Sequence, residues 1–202
     1  MHLWSRFIVF SSATACLLIA VTNTGWCAAS ASASGGNSTA RTVTPDVPSP
    51  IQTGERATEL AARFFDPLLA DAQTDTVRAT LLHQRGVLYL RSDYKQKAIT
   101  DFNSALQLLP QDHEERLALL FHRACALLLR PKPDARAAIA DITVCLRAEP
   151  NDPEALIVRA NAYRKLGKKE MADADINRAA ILAPKSDTAV RALLQNAMGA
   201  TR

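Results

Sequence analysis

Aromatic side chains are scarce in this chain: Phe, Tyr and Trp account for 5 % of its 202 residues. Ala and Leu abound in their place. Strands favour β-branched and aromatic residues, whereas Ala and Leu lose little freedom in a helix, so the composition argues against a β-sandwich and for an all-α fold. An excess of one charge is also missing. The formal net charge is +4, and Lys and Arg are interleaved with Asp and Glu along the sequence. That distribution argues against nucleic acid as a partner and for solvated helix surfaces.

Catalytic signatures are missing as well. The sequence has no Gly-rich phosphate loop, no paired catalytic carboxylates and no nucleophile elbow. Beyond residue 29 the histidines are His83, His113 and His122, and the cysteines are Cys125 and Cys145. His122 and Cys125 stand three apart on one predicted helix and so share a face. A zinc site needs further ligands at close spacing, and a Cys–His pair needs a third group to orient it. The pair reads as a packed His and a buried Cys, in a protein with no catalytic, cofactor or metal site. A thiol- or metal-dependent accessory role is the alternative. Cys145 takes the place of a small core residue, and a Cys125–Cys145 disulfide is conditional on a Cα separation within bonding range.

Long apolar runs occur at one place only. Residues 1–29 carry Arg6 as their one formal charge, then an apolar stretch from Phe7 to Val21, then small residues from Ala28 onward. Ala29-Ser30-Ala31 has the small-x-small pattern of a signal-peptidase site. The expectation is a cleaved signal peptide and an exported protein, periplasmic or secreted. Membrane anchoring by residues 7–28 is the alternative, although polar residues interrupt the span. Trp26 before Cys27 is too large for a lipoprotein signal. Residues 30–52 are Ser, Ala, Thr, Gly and Pro with almost nothing to bury, so they read as a disordered linker.

The rest of the chain repeats. The segment from Ala79 aligns with the segment from Pro153 at one fixed offset. Leu82 matches Leu156, Gly86 matches Ala160, Tyr89 matches Tyr163, Ala98 matches Ala172, Phe102 matches Ile176, Ala105 matches Ala179 and Pro110 matches Pro184. A third copy lies between them, with Leu120, Ala124, Leu127, Ala138, Ile142, Cys145 and Pro150 at the same places. Two extra residues sit in its turn, within Arg130–Asp134, and four more, His113–Arg116, precede it and would lengthen its first helix by about one turn. Small residues at Gly86, Ala98 and Ala105 let antiparallel helices approach, and each pair leaves an apolar face that a neighbour must cover.

These blocks resemble the tetratricopeptide repeat, a unit of about 34 residues built as helix–turn–helix. The resemblance implies an α-solenoid of three units, 79–112, 113–152 and 153–186. A helical cap at 53–78 precedes them, packing through Leu60, Phe64, Phe65 and Leu69 and broken or started near Pro67. A capping helix at 187–202 follows, with Val190, Leu193, Leu194 and Met198 on one side. Asp152-Pro153 reads as a helix start, Asp112 with Glu115 as a capping box, and Ser92 as the cap of the second helix of unit 1.

One charge pattern recurs in register. Arg85, Arg123 and Arg159 each precede the small residue of a first helix, and Asp101, Asp141 and Asp175 each precede Phe or Ile in a second helix. The spacing predicts an Arg–Asp contact in every unit.

The resemblance further implies a groove lined by first helices that binds a protein or peptide. Its places hold Thr80, His83, Val87, Leu90 and Arg91 in unit 1, Ala118, Phe121, Cys125, Leu128 and Leu129 in unit 2, and Glu154, Ile157, Asn161, Arg164 and Lys165 in unit 3. The middle is apolar and the unit 3 end is basic. The expected ligand is a peptide or helix with apolar anchors and acidic residues toward that end. The family's clamp for heat-shock chaperone C-termini needs Lys and Asn that units 1 and 2 lack. Two other readings stay open: Phe121, Leu128 and Leu129 are covered by the chain itself, or the surface makes a homo-oligomer.

Overall fold

The computed structural model describes residues 50–183 and 187–199. The expected signal peptide at 1–29, residues 30–49 of the expected linker, Pro184 and the Met198 side chain lie outside the described residues. Those residues form eight helices and no strand: α1 (Pro50–Asp71), α2 (Asp75–Arg91), α3 (Lys95–Leu108), α4 (Glu115–Leu129), α5 (Ala135–Ala148), α6 (Pro153–Lys165), α7 (Lys169–Leu182) and α8 (Thr188–Gly199). The fold is an all-α solenoid. Pairs α2–α3, α4–α5 and α6–α7 pack as hairpins, each second helix packs on the next first helix, and α8 closes the stack against α6 and α7.

Small residues sit where the helices touch. Gly86, Ala124 and Ala160 are buried on the first helices, as are Ala98, Ala138 and Ala172 on the second. A Cβ placed on Gly86 would meet the Phe102 ring at 2.5 Å. Units 2 and 3 have Ala at this place and the smaller Ile142 and Ile176 opposite. The volume lost on one helix is returned on the other.

The upstream helix corrects the expectation in two ways. It is one helix from Pro50 to Asp71 that runs through Pro67. It also packs through a different stripe. Ala61 and Ala72 are buried, Leu69 lies against the core and Phe65 is half-buried, while Leu60 and Phe64 are exposed, together with Leu68. The physical reason is register: Ala61, Phe65 and Leu69 occupy on α1 the places that Ala98, Phe102 and Leu106 occupy on α3. The segment thus shares the second-helix register at these three places, and the stripe Leu60–Phe64–Leu68 stays exposed.

Helix ends are set by local chemistry. Asp152 accepts hydrogen bonds from the Glu154 and Ala155 amides ahead of Pro153, as the sequence suggests. Thr74, Asp134 and Asp187 cap α2, α5 and α8 in the same manner. Two expected caps are different. Ser92 ends α2, its amide donating to the Leu88 and Tyr89 carbonyls, because Asp93 then turns left-handed at φ 71°. Gly167 takes the equivalent place in unit 3 at φ 72°, a conformation that suits Gly and is tolerated by Asp. Asp112 forms no capping box: the chain makes a turn at Pro110–His113, and the Glu115 amide bonds His113 Nδ1 instead. That turn absorbs part of the four-residue insertion. α4 therefore begins five residues before Leu120, where α6 begins three before Leu156, a gain of about half a turn.

Candidate functional site

First helices α2, α4 and α6 lie side by side and carry all the predicted groove residues. Leu90, Phe121, Cys125, Leu128 and Ile157 are buried in the core, and so is Glu154, at 4 % exposure. They do not form an open apolar groove. α4 is flanked by α2 and α6 as well as by its own partner α5, and these close over its side chains. Thr80, His83, Val87, Ala118, Leu129, Asn161 and Arg164 are half-buried on this face, and Arg91 and Lys165 are exposed at its end. The accessible face is thus largely polar, and basic at the ends of α2 and α6.

A hydrogen-bonded chain crosses from unit 1 to unit 2 here. Thr80 Oγ1 donates to Glu115 Oε2 at 2.9 Å, His83 Nδ1 lies 3.1 Å from Glu115 Oε1, and His83 Nε2 lies 2.9 Å from His122 Nδ1. His122 Nε2 is buried with no hydrogen-bond partner among the described residues. The Glu115 carboxylate only accepts, so His83 donates to it from Nδ1. Burial pushes the His122 imidazole down to about 3, so it is neutral. The hydrogen bond from His83 holds the Glu115 carboxyl below its ordinary range. Phe102 stacks on the His122 ring and Phe121 meets it edge-on, so this end of the chain of bonds is walled by aromatic carbon.

Each predicted Arg–Asp pair is in contact. Arg85 grips Asp101 through two bonds of 2.8 Å, Arg123 grips Asp141 at 2.8 and 2.6 Å, and Arg159 grips Asp175 through two of 2.7 Å. The carboxylates are buried. The hydrogen bond to Asp101 raises the already high pKa of Arg85, as that to Asp175 does for Arg159. The third nitrogen reaches backward along the array: Arg85 Nη1 to Asp66 on α1 at 2.7 Å, and Arg123 Nη1 to Asn103 on α3 at 2.8 Å. The three arginines thus fasten each unit internally, and Arg85 and Arg123 also tie their units to the preceding helix.

The remaining titratable groups are structural in placement. Cys145 Sγ donates to the Leu117 carbonyl at 3.4 Å, and burial pushes its thiol up to about 12. Cys125 and Cys145 form no disulfide. No cluster of three or more His, Cys, Asp or Glu suited to a metal occurs among the described residues. Glu154 has one buried oxygen without a partner, and burial, with Asp152 and Asp187 nearby, raises its carboxyl to about 7. Arg164 keeps an Nη2 without a hydrogen bond, 4.0 Å from Asp173. The His83–His122 link escaped the sequence reading because it joins two units, and repeat alignment compares units without pairing them.

Comparison with known proteins agrees with this architecture. The family model for the tetratricopeptide repeat matches residues 79–112 and 153–186. Unit 2 falls outside the match because its insertions break the spacing, although it folds as the others do. Protein unc-45 homolog B of Danio rerio is 28 % identical over 112 residues, covering 55 % of this chain and 12 % of that protein. The Xenopus tropicalis homolog is 31 % identical over 112 residues, with the same coverage of 55 % and 12 %. The chain therefore spans only a small part of the length of these relatives. A solved tetratricopeptide repeat protein from Parabacteroides merdae superposes with a TM-score of 0.52 at 21 % identity, covering 74 % of this chain and 61 % of that one; it supports the fold.

Proposed function

We propose that this chain, which carries tetratricopeptide repeats, is an exported, non-enzymatic scaffold that binds an acidic peptide or helix of another protein on the face lined by α2, α4 and α6. The repeats make it a protein–protein interaction module. The reading of the face rests on its basic end, where Arg91 and Lys165 are exposed and Arg164 is half-buried with its Nη2 4.0 Å from Asp173. A peptide carboxylate that meets the exposed cations gains charge-assisted hydrogen bonds. Asn161 stands beside Arg164 and Lys165 on α6. The apolar anchors expected from sequence are withdrawn from this proposal, since Phe121 and Leu128 are buried. Export rests on the composition of residues 1–29.

The test is capture of cross-linked partners by the full chain from an envelope extract, compared with an Asn161→Glu/Arg164→Glu variant. The proposal expects a discrete partner that the variant loses while its helix content is kept; equal capture by both would contradict it. N-terminal sequencing of the protein from cell fractions checks export, and an intact Met1 in the cytoplasm counts against it. One observation favours a second reading, a homo-oligomer. The stripe Leu60–Phe64–Leu68 leaves large apolar surface in water, at 55, 66 and 44 % exposure. Light scattering on the full chain separates the two readings.

A further inference from the structure

The charges of this chain are sorted between the two edges of the array. Because the helices alternate in direction, every turn from a first to a second helix lies on one edge, and every turn between units lies on the other. The first edge is basic. Arg91, Lys95 and Lys97 surround the turn in unit 1, Arg130, Lys132 and Arg136 the turn in unit 2, and Arg164, Lys165, Lys168 and Lys169 the turn in unit 3. Acids there are few: Asp93 pairs with Lys95, Asp134 is used as a cap, and Glu170 follows Lys169. The opposite edge carries Asp71, Asp75, Asp112, Glu114, Glu149 and Asp152. Arg78, Arg116, Arg147 and Arg178 also lie there, but three of them are tied to turn carbonyls: Arg78 to that of Ala72, Arg116 to those of Leu106 and Leu109, and Arg178 to that of Pro150.

Stability does not account for this sorting. Cations favour helix C-termini and disfavour N-termini, at about 0.3–1 kcal/mol each. Arg91, Arg164 and Lys165 obey that rule. Lys95, Arg136, Lys168 and Lys169 stand at the starts of α3, α5 and α7 and oppose it. Among the described residues, Lys132, Arg136 and Lys168 are exposed and form no ion pair.

The basic edge is also shaped. A cleft of about 640 Å³ lies between the first two turns, lined by Tyr94, Lys97, Leu129, Pro131 and Lys132 among others. Its counterpart between the second and third turns, about 400 Å³, is lined by Arg136, Ile139, Tyr163, Leu166, Lys168 and Met171. Both have apolar floors and cationic rims, and they recur with the repeat. A smooth lipid surface has nothing to place in them, whereas a polypeptide offers side chains of this size.

We infer that this edge is a second docking surface, for an extended acidic segment of a protein whose apolar side chains seat in the two clefts while its carboxylates meet the lysines and arginines of the rims. The inference rests on the reading of the chain as a protein-interaction module and adds a surface that meets the one proposed above only at Arg91, Arg164 and Lys165.

The test is fluorescence anisotropy on the full chain with a labelled peptide of four Glu-Glu-Leu-Glu blocks. The expected result is saturable binding that weakens about tenfold or more in a Lys132→Glu/Arg136→Glu/Lys168→Glu variant. An all-Glu peptide of equal charge should bind clearly more weakly, since it leaves the clefts empty. The variant's thermal midpoint should be unchanged or raised, because exposed N-terminal cations are removed. An Asn161→Glu variant should keep its peptide affinity within about twofold, because Asn161 lines neither cleft and is not among the cations of the edge. No binding of the peptide, or equal binding by the triple variant, overturns the inference. So does tighter binding at equal charge to phosphatidylglycerol vesicles or to a single-stranded oligonucleotide. If the edge variant keeps its captured partners and its peptide affinity while the α6 variant loses the partners, this inference fails and the module reading stands. If neither surface captures a partner and the peptide does not bind, both fail.

Discussion

The ring of Phe102 lies where the side chain of residue 86 would be: a Cβ on Gly86 would stand 2.5 Å from it, and Phe102 is fully buried. Gly86→Ala is expected to lower stability by about 1–2 kcal/mol, because overpacking outweighs the helix propensity that Ala gains over Gly. Adding Phe102→Ile recreates the Ala–Ile pairing of units 2 and 3 and should recover most of the loss. Urea denaturation of the two single variants and the double variant measures this; additive losses would show that the two positions do not share the space.

The Arg–Asp pairs give a second expectation. Asp141→Ala strands the Arg123 guanidinium, whose side chain is 25 % exposed, and should cost about 3–5 kcal/mol, as breaking a buried pair does. Arg123→Lys keeps the charge but loses the fork that holds Asp141 and Asn103 together, so it should also destabilise, by less. Thermal unfolding of both variants checks the order.

Two buried groups oppose each other in their response to acid. The folded pKa of His122, about 3, lies below its ordinary 6.5. Its contribution to stability is therefore fully present above pH 6.5 and is lost as the pH falls toward 3. The folded pKa of Glu154, about 7, lies above its ordinary 4.5, so its contribution is gained as the pH falls through 7 and is complete below 4.5. Between pH 6.5 and 4.5 each amounts to roughly 2–3 kcal/mol, with opposite sign. Glu154→Gln should unmask a loss of stability with acid across this window, and His122→Leu a gain. Chemical denaturation at a series of pH values reads both slopes; parallel slopes in the two variants would contradict the assignment.

Cations at the starts of second helices should cost stability. Lys169→Glu places an acid in the first turn of α7 and is expected to raise stability by about 0.5–1 kcal/mol, and with it the thermal midpoint, at low ionic strength and less in high salt. A lowered midpoint would mean that Lys169 makes a favourable contact.

The repeat was legible because Gly86, Ala98 and Ala105 and their counterparts recur at fixed spacing, and the Arg–Asp places followed from the same alignment. Other features depended on what the alignment omits. The packing stripe of α1 was misplaced because the comparison began at Ala79, although Ala61, Phe65 and Leu69 carry the second-helix spacing. Ser92 and Asp112 have capping chemistry, but the left-handed Asp93 and the turn after Pro110 decide where the helices begin. Phe121 and Leu128 were placed in a groove by family position. Burial between α2 and α6 is a property of the stack and cannot be read from one helix. The sorting of charge between edges was present in the sequence all along, but it emerges only when the turns are grouped by edge.

The account depends on helices that alternate in direction, so that all first-to-second turns share one edge. Electron–electron distance measurements on a cysteine-free full chain test this directly, with spin labels at Gln96 and Lys132, and separately at Gln96 and Asp112. Gln96 and Lys132 line one cleft, whereas α3, 14 residues long, separates Gln96 from Asp112 by about 20 Å. The account predicts a clearly shorter distance for Gln96–Lys132. A Gln96–Asp112 distance equal to it or shorter would contradict the arrangement.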